Sequence, residues 1–261
     1  MVLAVVLYLL PFVAGAYGQR PLYANISGII EIRDYEHFQR TIFSPERTQG
    51  HMVQFYSDQC HHCLSIVDKF RRFGRSVSHW DRVARVVVVN CNAKQTRRIC
   101  WQNDARFTPD FRYFHSGSLA PIDGYAIKPK WTPDGFRSEL AWHVMNDFDD
   151  RETFHWPDFA PLNPHQTFAQ VQQLAPHWVD YILLVFDHDH WNIDGVKTLL
   201  DMSDLQDRVY ARRAFRDGQF AQLMSVTEYP TAILVRRGNG EILYHKRMNY
   251  GTVAELRRLV K

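Results

Sequence analysis

The sequence of 261 residues predicts an α/β fold of two tandem domains, each a three-layer sandwich with helices on both faces of a mixed central sheet. Two observations support this prediction. Short apolar runs alternate with helical patterns between residues 29 and 148, and the same order returns between residues 181 and 260. The β-branched run Val86–Val89 is typical of a strand buried on both faces of a sheet. With 46% hydrophobic and 23% charged residues, the composition is that of a globular protein.

The first half of the chain begins with a strand and ends with a helix that follows several prolines. Its clearest predicted helix, at 61–75, carries apolar residues at three-to-four spacing. In chain order we expect strand 29–32, helix 35–40, strand 52–57, helix 61–75, strand 86–89, helix 94–104, strand 111–114, a last hairpin and helix 136–148.

The tetrapeptide Cys60-His61-His62-Cys63 stands between the predicted strand 52–57 and the predicted helix 61–75. A Cys-x-x-Cys at this junction is the redox motif of a thioredoxin-like fold. A helix N-terminus stabilises a thiolate, and the second thiol can resolve a mixed disulfide formed on the first. Alternatively, the two cysteines could be half of a structural zinc site. Such a site needs a second close cysteine pair, which Cys91 and Cys100 do not supply.

The second half repeats the order of elements without any cysteine, so we expect it to be redox-inactive. Asn239-Gly240 marks a hairpin there. The first strand of this half is followed by three polar residues that could be metal ligands: Asp187, His188 and His190. A polar loop between a strand and a helix is the preferred interpretation, so we predict no metal site. The expected elements are strand 181–186, helix 196–202, strand 209–211, helix 215–223, strands 232–235 and 242–244, and helix 253–260.

The first 18 residues are uncharged and apolar and end in small residues, as in a secretory signal peptide. An uncleaved anchor is the alternative, although Pro11 interrupts the short apolar run and a role in a membrane is not expected. Asn25 begins an Asn-Ile-Ser glycosylation sequon. The predicted parts are a signal peptide at 1–18, a redox-active domain at 28–150, a proline-rich linker at 151–165 and a redox-inactive domain at 166–261.

The formal net charge of +3 is small, and no cluster of basic residues forms a phosphate-binding stripe. We therefore do not expect the protein to bind nucleic acid. The histidines outside the tetrapeptide are scattered along the chain and indicate no metal site.

The segment VQFYSDQCHHC resembles the active-site segment of protein disulfide isomerases, and further features resemble quiescin sulfhydryl oxidases. These features are a second cysteine pair after the central strand, a Trp- and Pro-rich linker (FHWPDFAPLNP) and a cysteine-free second domain with Tyr229-Pro230-Thr231. The resemblance covers residues 30–261 and is strongest at 52–114. It implies two tandem thioredoxin-like domains.

The resemblance also implies roles for individual residues. Cys60 would be the attacking thiol, Cys63 the resolving thiol, and His62 would stabilise the Cys60 thiolate. Thr108 would bind substrate through its backbone, beside a cis peptide bond to Pro109. Cys91 and Cys100 would form a structural disulfide.

Four residues depart from the isomerase pattern. Gln54 stands where isomerases bury a glutamate that helps to move the proton of the resolving thiol, and an amide cannot accept that proton. His61 replaces the usual glycine, Gln59 the usual tryptophan, and Asp68 the proline that kinks the active-site helix.

The resemblance implies a thiol–disulfide oxidoreductase of the endoplasmic reticulum, the Golgi or the extracellular space that acts on reduced client proteins with free thiols. A full family member continues into a helical module that binds FAD, and that module is a candidate partner. We expect no cofactor in the chain of 261 residues itself, because it contains no second Cys-x-x-Cys. The alternative function is a redox-silent binding module or chaperone.

Overall fold

The computed structural model of the protein describes residues 21–150, 156–249 and 251–261. The predicted signal peptide and the first residues of the predicted linker lie outside these ranges. In the first half the elements are β1 (Ile29–Glu31), α1 (Tyr35–Ile42), β2 (Gly50–Tyr56), α2 (His61–Ser76), β3 (Ala84–Asn90), α3 (Arg97–Gln102), β4 (Asp110–Phe114), β5 (Gly124–Ala126) and α4 (Pro133–Asp150).

The first sheet has the strand order β1-β3-β2-β4-β5, with β1, β3 and β2 parallel and β4 and β5 antiparallel. Every residue of β2 is buried. Because side chains alternate along a strand, Met52, Gln54 and Tyr56 face α2 and α4, whereas Val53 and Phe55 face α1 and α3. This arrangement places the end of β2 and the start of α2 at one edge of the sheet.

The second half contains α5 (Phe168–Leu174), β6 (Tyr181–Asp187), α6 (Asp194–Asp201), β7 (Val209–Phe215), α7 (Gln219–Leu223), β8 (Thr231–Arg236), β9 (Ile242–Arg247) and α8 (Thr252–Leu259). Its sheet has the order β7-β6-β8-β9, with β6 and β7 parallel and β8 and β9 antiparallel. The predicted α/β class with two mixed sheets is therefore confirmed.

Several boundaries differ from the sequence prediction. The helix expected at 215–223 begins only at Gln219, because Phe215 still pairs with Asp187 in the ladder between β6 and β7. The helix expected at 94–104 spans only Arg97–Gln102, and Asp104 beyond its end takes a left-handed conformation with φ of 51°. Strand β5 pairs antiparallel with β4 and forms the expected last hairpin of the first half. Helix α5 is an element that the apolar pattern did not predict.

Residues ahead of the predicted start of the first domain also pack on it. Tyr23 is fully buried, with its ring 5.1 Å from that of Tyr56 and 5.7 Å from that of Phe70 between centroids. The segment before β1 therefore covers part of the face on which α2 lies.

Helix α4 joins the two domains into one packed body. It contacts α2 of the first domain and α6 of the second. Its buried residues Phe136, Leu140 and Val144 belong to the same apolar cluster as Val196 and Leu199 of α6. Burial of this shared apolar surface holds the second domain against the first.

Within the ranges that the structure describes, no helix is both long enough and apolar enough to cross a membrane.

Candidate active site

The two cysteines of the tetrapeptide lie at the junction of β2 and α2, in different environments. Cys60 is the N-cap of α2, and its sulfur accepts a hydrogen bond from the backbone N–H of Cys63 at 3.3 Å. The Cys60 side chain is partly exposed, whereas that of Cys63 is fully buried. Only Cys60 is therefore open to the sulfur of another protein.

The surroundings of Cys60 favour its ionised form. Burial raises the pKa of this thiol, but hydrogen bonds from the Cys63 thiol and backbone, the Thr108 side chain and the His62 backbone outweigh burial. The net result is a pKa below the ordinary value for cysteine. A lowered pKa increases the thiolate fraction at neutral pH, which makes Cys60 the better nucleophile.

Cys63 has the opposite character. Burial, reinforced by its hydrogen bond to Cys60, raises the pKa of the Cys63 thiol to about 12. This thiol therefore holds its proton at neutral pH and must lose it before it can attack a mixed disulfide.

The loop before β4 completes one wall of the site. The peptide bond between Thr108 and Pro109 is cis. The Cys60 sulfur lies 3.1 Å from the Thr108 carbonyl oxygen, to which the protonated thiol donates a hydrogen bond. The structure thus brings Thr108 and Pro109 to the attacking cysteine across 48 residues of sequence.

Cys91 and Cys100 form a disulfide that links the end of β3 to α3. The disulfide borders a groove of about 390 Å³, which is also lined by Ser57, Trp101 and Thr108. Beside it, Trp101 and Phe107 are 87% and 86% exposed, which is unusual for such large apolar side chains. The groove, which Arg97 and Arg106 also line, reaches Thr108, the residue that contacts Cys60.

The imidazole of His62 lies near the indole of Trp131. The ring centroids of His62 and Trp131 are 6.3 Å apart, and those of His61 and His62 are 6.1 Å apart. Both histidines are exposed on the first turn of α2. In the structure, the contact between His62 and the Cys60 sulfur is made by the backbone N–H.

The side chain of Gln54 is fully buried on the face of β2 that α2 covers. The Tyr23 hydroxyl lies beside the Gln54 amide, close enough to affect the Tyr23 pKa but without a hydrogen bond of normal geometry. Tyr23 and Trp131 are site residues that the sequence analysis missed, because neither lies near the tetrapeptide in the chain.

Two further departures from the isomerase pattern lie at the surface. Gln59 is exposed ahead of the first cysteine. Asp68 is exposed on α2 and forms an ion pair with Arg71, at 3.3 Å, within an uninterrupted helix.

In the second domain, the residues after β6 form a polar loop and a buried ion pair. Asp187 pairs with Arg213 at 2.9 Å and accepts a hydrogen bond from the backbone of Gly195 at 3.1 Å. His188 contacts Asp189 and Arg216 instead. The described residues contain no group of His, Cys, Asp or Glu arranged to hold a metal ion.

Asn25, the predicted glycosylation site, is exposed in the segment before β1. Its φ of 59° lies in the left-handed region, which asparagine tolerates better than most residues.

Comparisons with known proteins agree with this geometry. Residues 29–129 match the family model described as thioredoxin. Sulfhydryl oxidase 2 from Homo sapiens and from Mus musculus are each 24% identical over 185 residues, which is 70% of this chain but 26% of the relative. The chain thus matches about a quarter of the length of these relatives. Full-length ERdj5 superposes with a TM-score of 0.62 at 14% identity, over 89% of this chain and 32% of that chain.

The thioredoxin match covers the sheet, the cysteine pair and the Thr108–Pro109 loop of the first domain, and the structural likeness extends over both domains. The chain has the fold of two tandem thioredoxin-like domains, and its first domain matches the thioredoxin model over the region that holds the cysteine pair.

Proposed function

We propose that this protein exchanges disulfides with client proteins through Cys60, as the substrate-facing part of a sulfhydryl oxidase of the quiescin type. The observation that carries the proposal is the asymmetry of the cysteine pair. Cys60 is partly exposed with a lowered pKa, and Cys63 is buried with a raised pKa. This difference supports attack by Cys60 and resolution by Cys63.

In the oxidising direction, a client thiolate attacks the Cys60 sulfur of the Cys60–Cys63 disulfide. The bond between Cys60 and Cys63 breaks, and Cys63 leaves with the electron pair and takes up a proton. A second client thiolate then attacks the client sulfur of the mixed disulfide and releases Cys60 as a thiolate. The client gains a disulfide, and the cysteine pair is reduced.

The backbone of Thr108 supports binding of an extended client segment. Its carbonyl oxygen already lies 3.1 Å from the Cys60 sulfur, at the position where a client cysteine must approach. Backbone hydrogen bonds bind a peptide without regard to its side chains. The groove beside the Cys91–Cys100 disulfide, flanked by Trp101, would then accept an apolar client side chain.

The resemblance to sulfhydryl oxidases supports a finer assignment. We propose that the protein works in the secretory pathway or outside the cell, with reduced proteins as clients and a glycan on Asn25. The flavin of such an oxidase would belong to a separate module, to which the cysteine pair passes electrons. No step above requires a flavin on the described residues.

The test is to trap the mixed disulfide. The Cys63→Ser variant is incubated in its reduced form with oxidised glutathione, and the mass and site of the adduct are determined. We expect one glutathione on Cys60, because the thiol that would release it has been removed. The matched control, in which Cys60 is also changed to Ser, should stay unmodified. If Cys63→Ser gains no adduct, the first domain is a redox-silent binding module.

A further inference from the structure

The groove beside the Cys91–Cys100 disulfide adjoins the attacking cysteine. Two of its lining residues, Ser57 and Thr108, are in direct contact with Cys60. The Cys60 backbone N–H donates a 3.1 Å hydrogen bond to the Ser57 carbonyl oxygen, and the Cys60 sulfur lies 3.1 Å from the Thr108 carbonyl oxygen. A client segment whose cysteine reaches Cys60 and continues past Thr108 therefore enters this groove.

Two guanidinium groups line the same groove. Arg97 lies on the first turn of α3 and Arg106 in the loop before β4, and both residues are exposed. Among the described residues, the Arg97 side chain makes one hydrogen bond, which it donates to the Asn92 carbonyl oxygen at 3.4 Å. A guanidinium carries five N–H donors in one plane. Most donors of Arg97 are therefore available to an incoming acceptor.

The acidic side chains near the groove leave its charge positive. Arg106 pairs with Asp104 at 2.6 Å, but the two side chains are 78% and 67% exposed, so water screens this pair. The carboxylate of Asp58 accepts hydrogen bonds from the amides of Asn90 and Asn92 at 3.3 and 2.8 Å. Of the described residues, none with an acidic side chain lines the groove itself.

Exposed aromatic rings accompany these charges. Trp101 lines the groove, and Phe107 directly precedes Thr108 in the chain. Their exposed fractions of 87% and 86% are typical of rings that a partner covers rather than of rings that stabilise the fold. A surface with both guanidinium groups and exposed rings is complementary to acidic and apolar side chains in one segment.

We propose that this groove selects client segments in which an acidic residue and an apolar residue lie within about three residues of the reactive cysteine. The carboxylate would accept charge-assisted hydrogen bonds from Arg97 and Arg106, and the apolar side chain would pack on Trp101. This inference rests on the proposed function and names its class of client. An extended segment advances about 3.3 Å per residue, so three residues span about 10 Å of the groove from the client cysteine.

The test measures how fast Cys60 reacts with peptides of different charge. Reduced Cys63→Ser protein is mixed with peptides that each carry one cysteine, joined by a disulfide to thionitrobenzoate. The Cys60 thiolate attacks the peptide sulfur, a disulfide forms between Cys60 and the peptide, and thionitrobenzoate leaves as a coloured thiolate whose absorbance gives the rate. One Glu is placed in turn at each of three positions on either side of the cysteine, and matched peptides carry Gln there.

Each rate is divided by the rate of the same peptide with 2-mercaptoethanol, which corrects for the effect of the carboxylate on the peptide disulfide itself. At the best position we expect the Glu peptide to react about fivefold faster than the Gln peptide at low ionic strength. This preference should shrink towards equal rates in about 0.5 M salt, because salt screens exposed charges.

Variants of the two arginines identify the origin of the preference. Changing both Arg97 and Arg106 to Gln should abolish it, and changing both to Glu should reverse it in favour of a peptide with Lys at that position. Arg98→Gln is the matched control and should keep the preference. Arg98 is also exposed on α3, but its guanidinium carbon lies over the Tyr35 ring, 4.9 Å from the centroid.

The ratio of the two peptide rates is measured on one protein at a time, so a loss of stability in a variant does not imitate a loss of preference. Equal rates for the Glu and Gln peptides with Cys63→Ser, or a preference that survives replacement of both arginines by Gln, would overturn the inference and leave the proposed function intact. If the folded protein reacts with none of the peptides, the proposed function is refuted, and the inference with it.

Discussion

The indole Nε1 of Trp80 donates a 2.9 Å hydrogen bond to Asp201, across the boundary between the two domains. The same carboxylate accepts a 2.9 Å bond from His79 and forms an ion pair with Arg137. Asp201 is 4% exposed, so water has little access to these hydrogen bonds and does not compete with them. One buried carboxylate therefore ties three side chains of the first domain to the second.

We expect Asp201→Ala to lower the free energy of unfolding by about 3 kcal/mol, because it leaves a guanidinium and an indole N–H without their acceptor. Urea denaturation measures this change. Asp180→Ala is the control, since Asp180 is 63% exposed in its pair with Arg208 and such pairs contribute little. Equal urea midpoints for Asp201→Ala and Asp180→Ala would show that Asp201 does not hold the domains together.

The disulfide between Cys91 and Cys100 closes a short loop beside the site. Replacing both cysteines by Ala should lower the free energy of unfolding by about 2–3 kcal/mol, through greater freedom of the unfolded chain. Formation of the glutathione adduct on Cys60 should continue in this variant. Loss of adduct formation in a folded variant would mean that the disulfide takes part in exchange.

The imidazole of His62 lies near Trp131, on the first turn of the helix that Cys60 caps. His62 is two residues from Cys60 in the sequence, so a positive charge on its ring would favour the thiolate. We expect His62→Ala to lower the reduction potential of the pair by on the order of 10–30 mV, because the reduced form loses stabilisation. Glutathione titration measures the potential, with exposed His165→Ala as control. A rise in potential would contradict this role.

The exposed ring of Trp101 borders the groove next to Thr108. For a peptide substrate with an apolar residue beside its cysteine, Trp101→Ser should raise KM about tenfold and leave kcat nearly unchanged, since the ring binds but does not react. Trp178→Ser, in the second domain and 61% exposed, is the matched control. Unchanged KM in Trp101→Ser would exclude this surface from client binding.

Local signals in the sequence located Cys60 and Cys63, because a Cys-x-x-Cys motif between a strand and a helix places both cysteines at the junction of the two elements. Thr108 and Pro109 could be placed there only through the resemblance, since 48 residues separate Thr108 from Cys60. The contacts of Tyr23 with Tyr56 and Phe70 depend on how the segment before β1 packs on α2, which the sequence does not display. Phe215 was assigned to a helix because an apolar pattern alone cannot show that it pairs with Asp187.

The central claim is that Cys60 attacks and Cys63 resolves. Site-resolved alkylation of the reduced protein with iodoacetamide, measured against pH, tests it most directly. We expect half-maximal reactivity of Cys60 at a lower pH than that of an ordinary cysteine thiol, because the pKa of Cys60 is lowered. Cys63 should stay unlabelled throughout the neutral range, because burial raises its pKa to about 12. Equal labelling of the two cysteines at neutral pH, or a Cys60 midpoint above the ordinary value, would contradict the assignment.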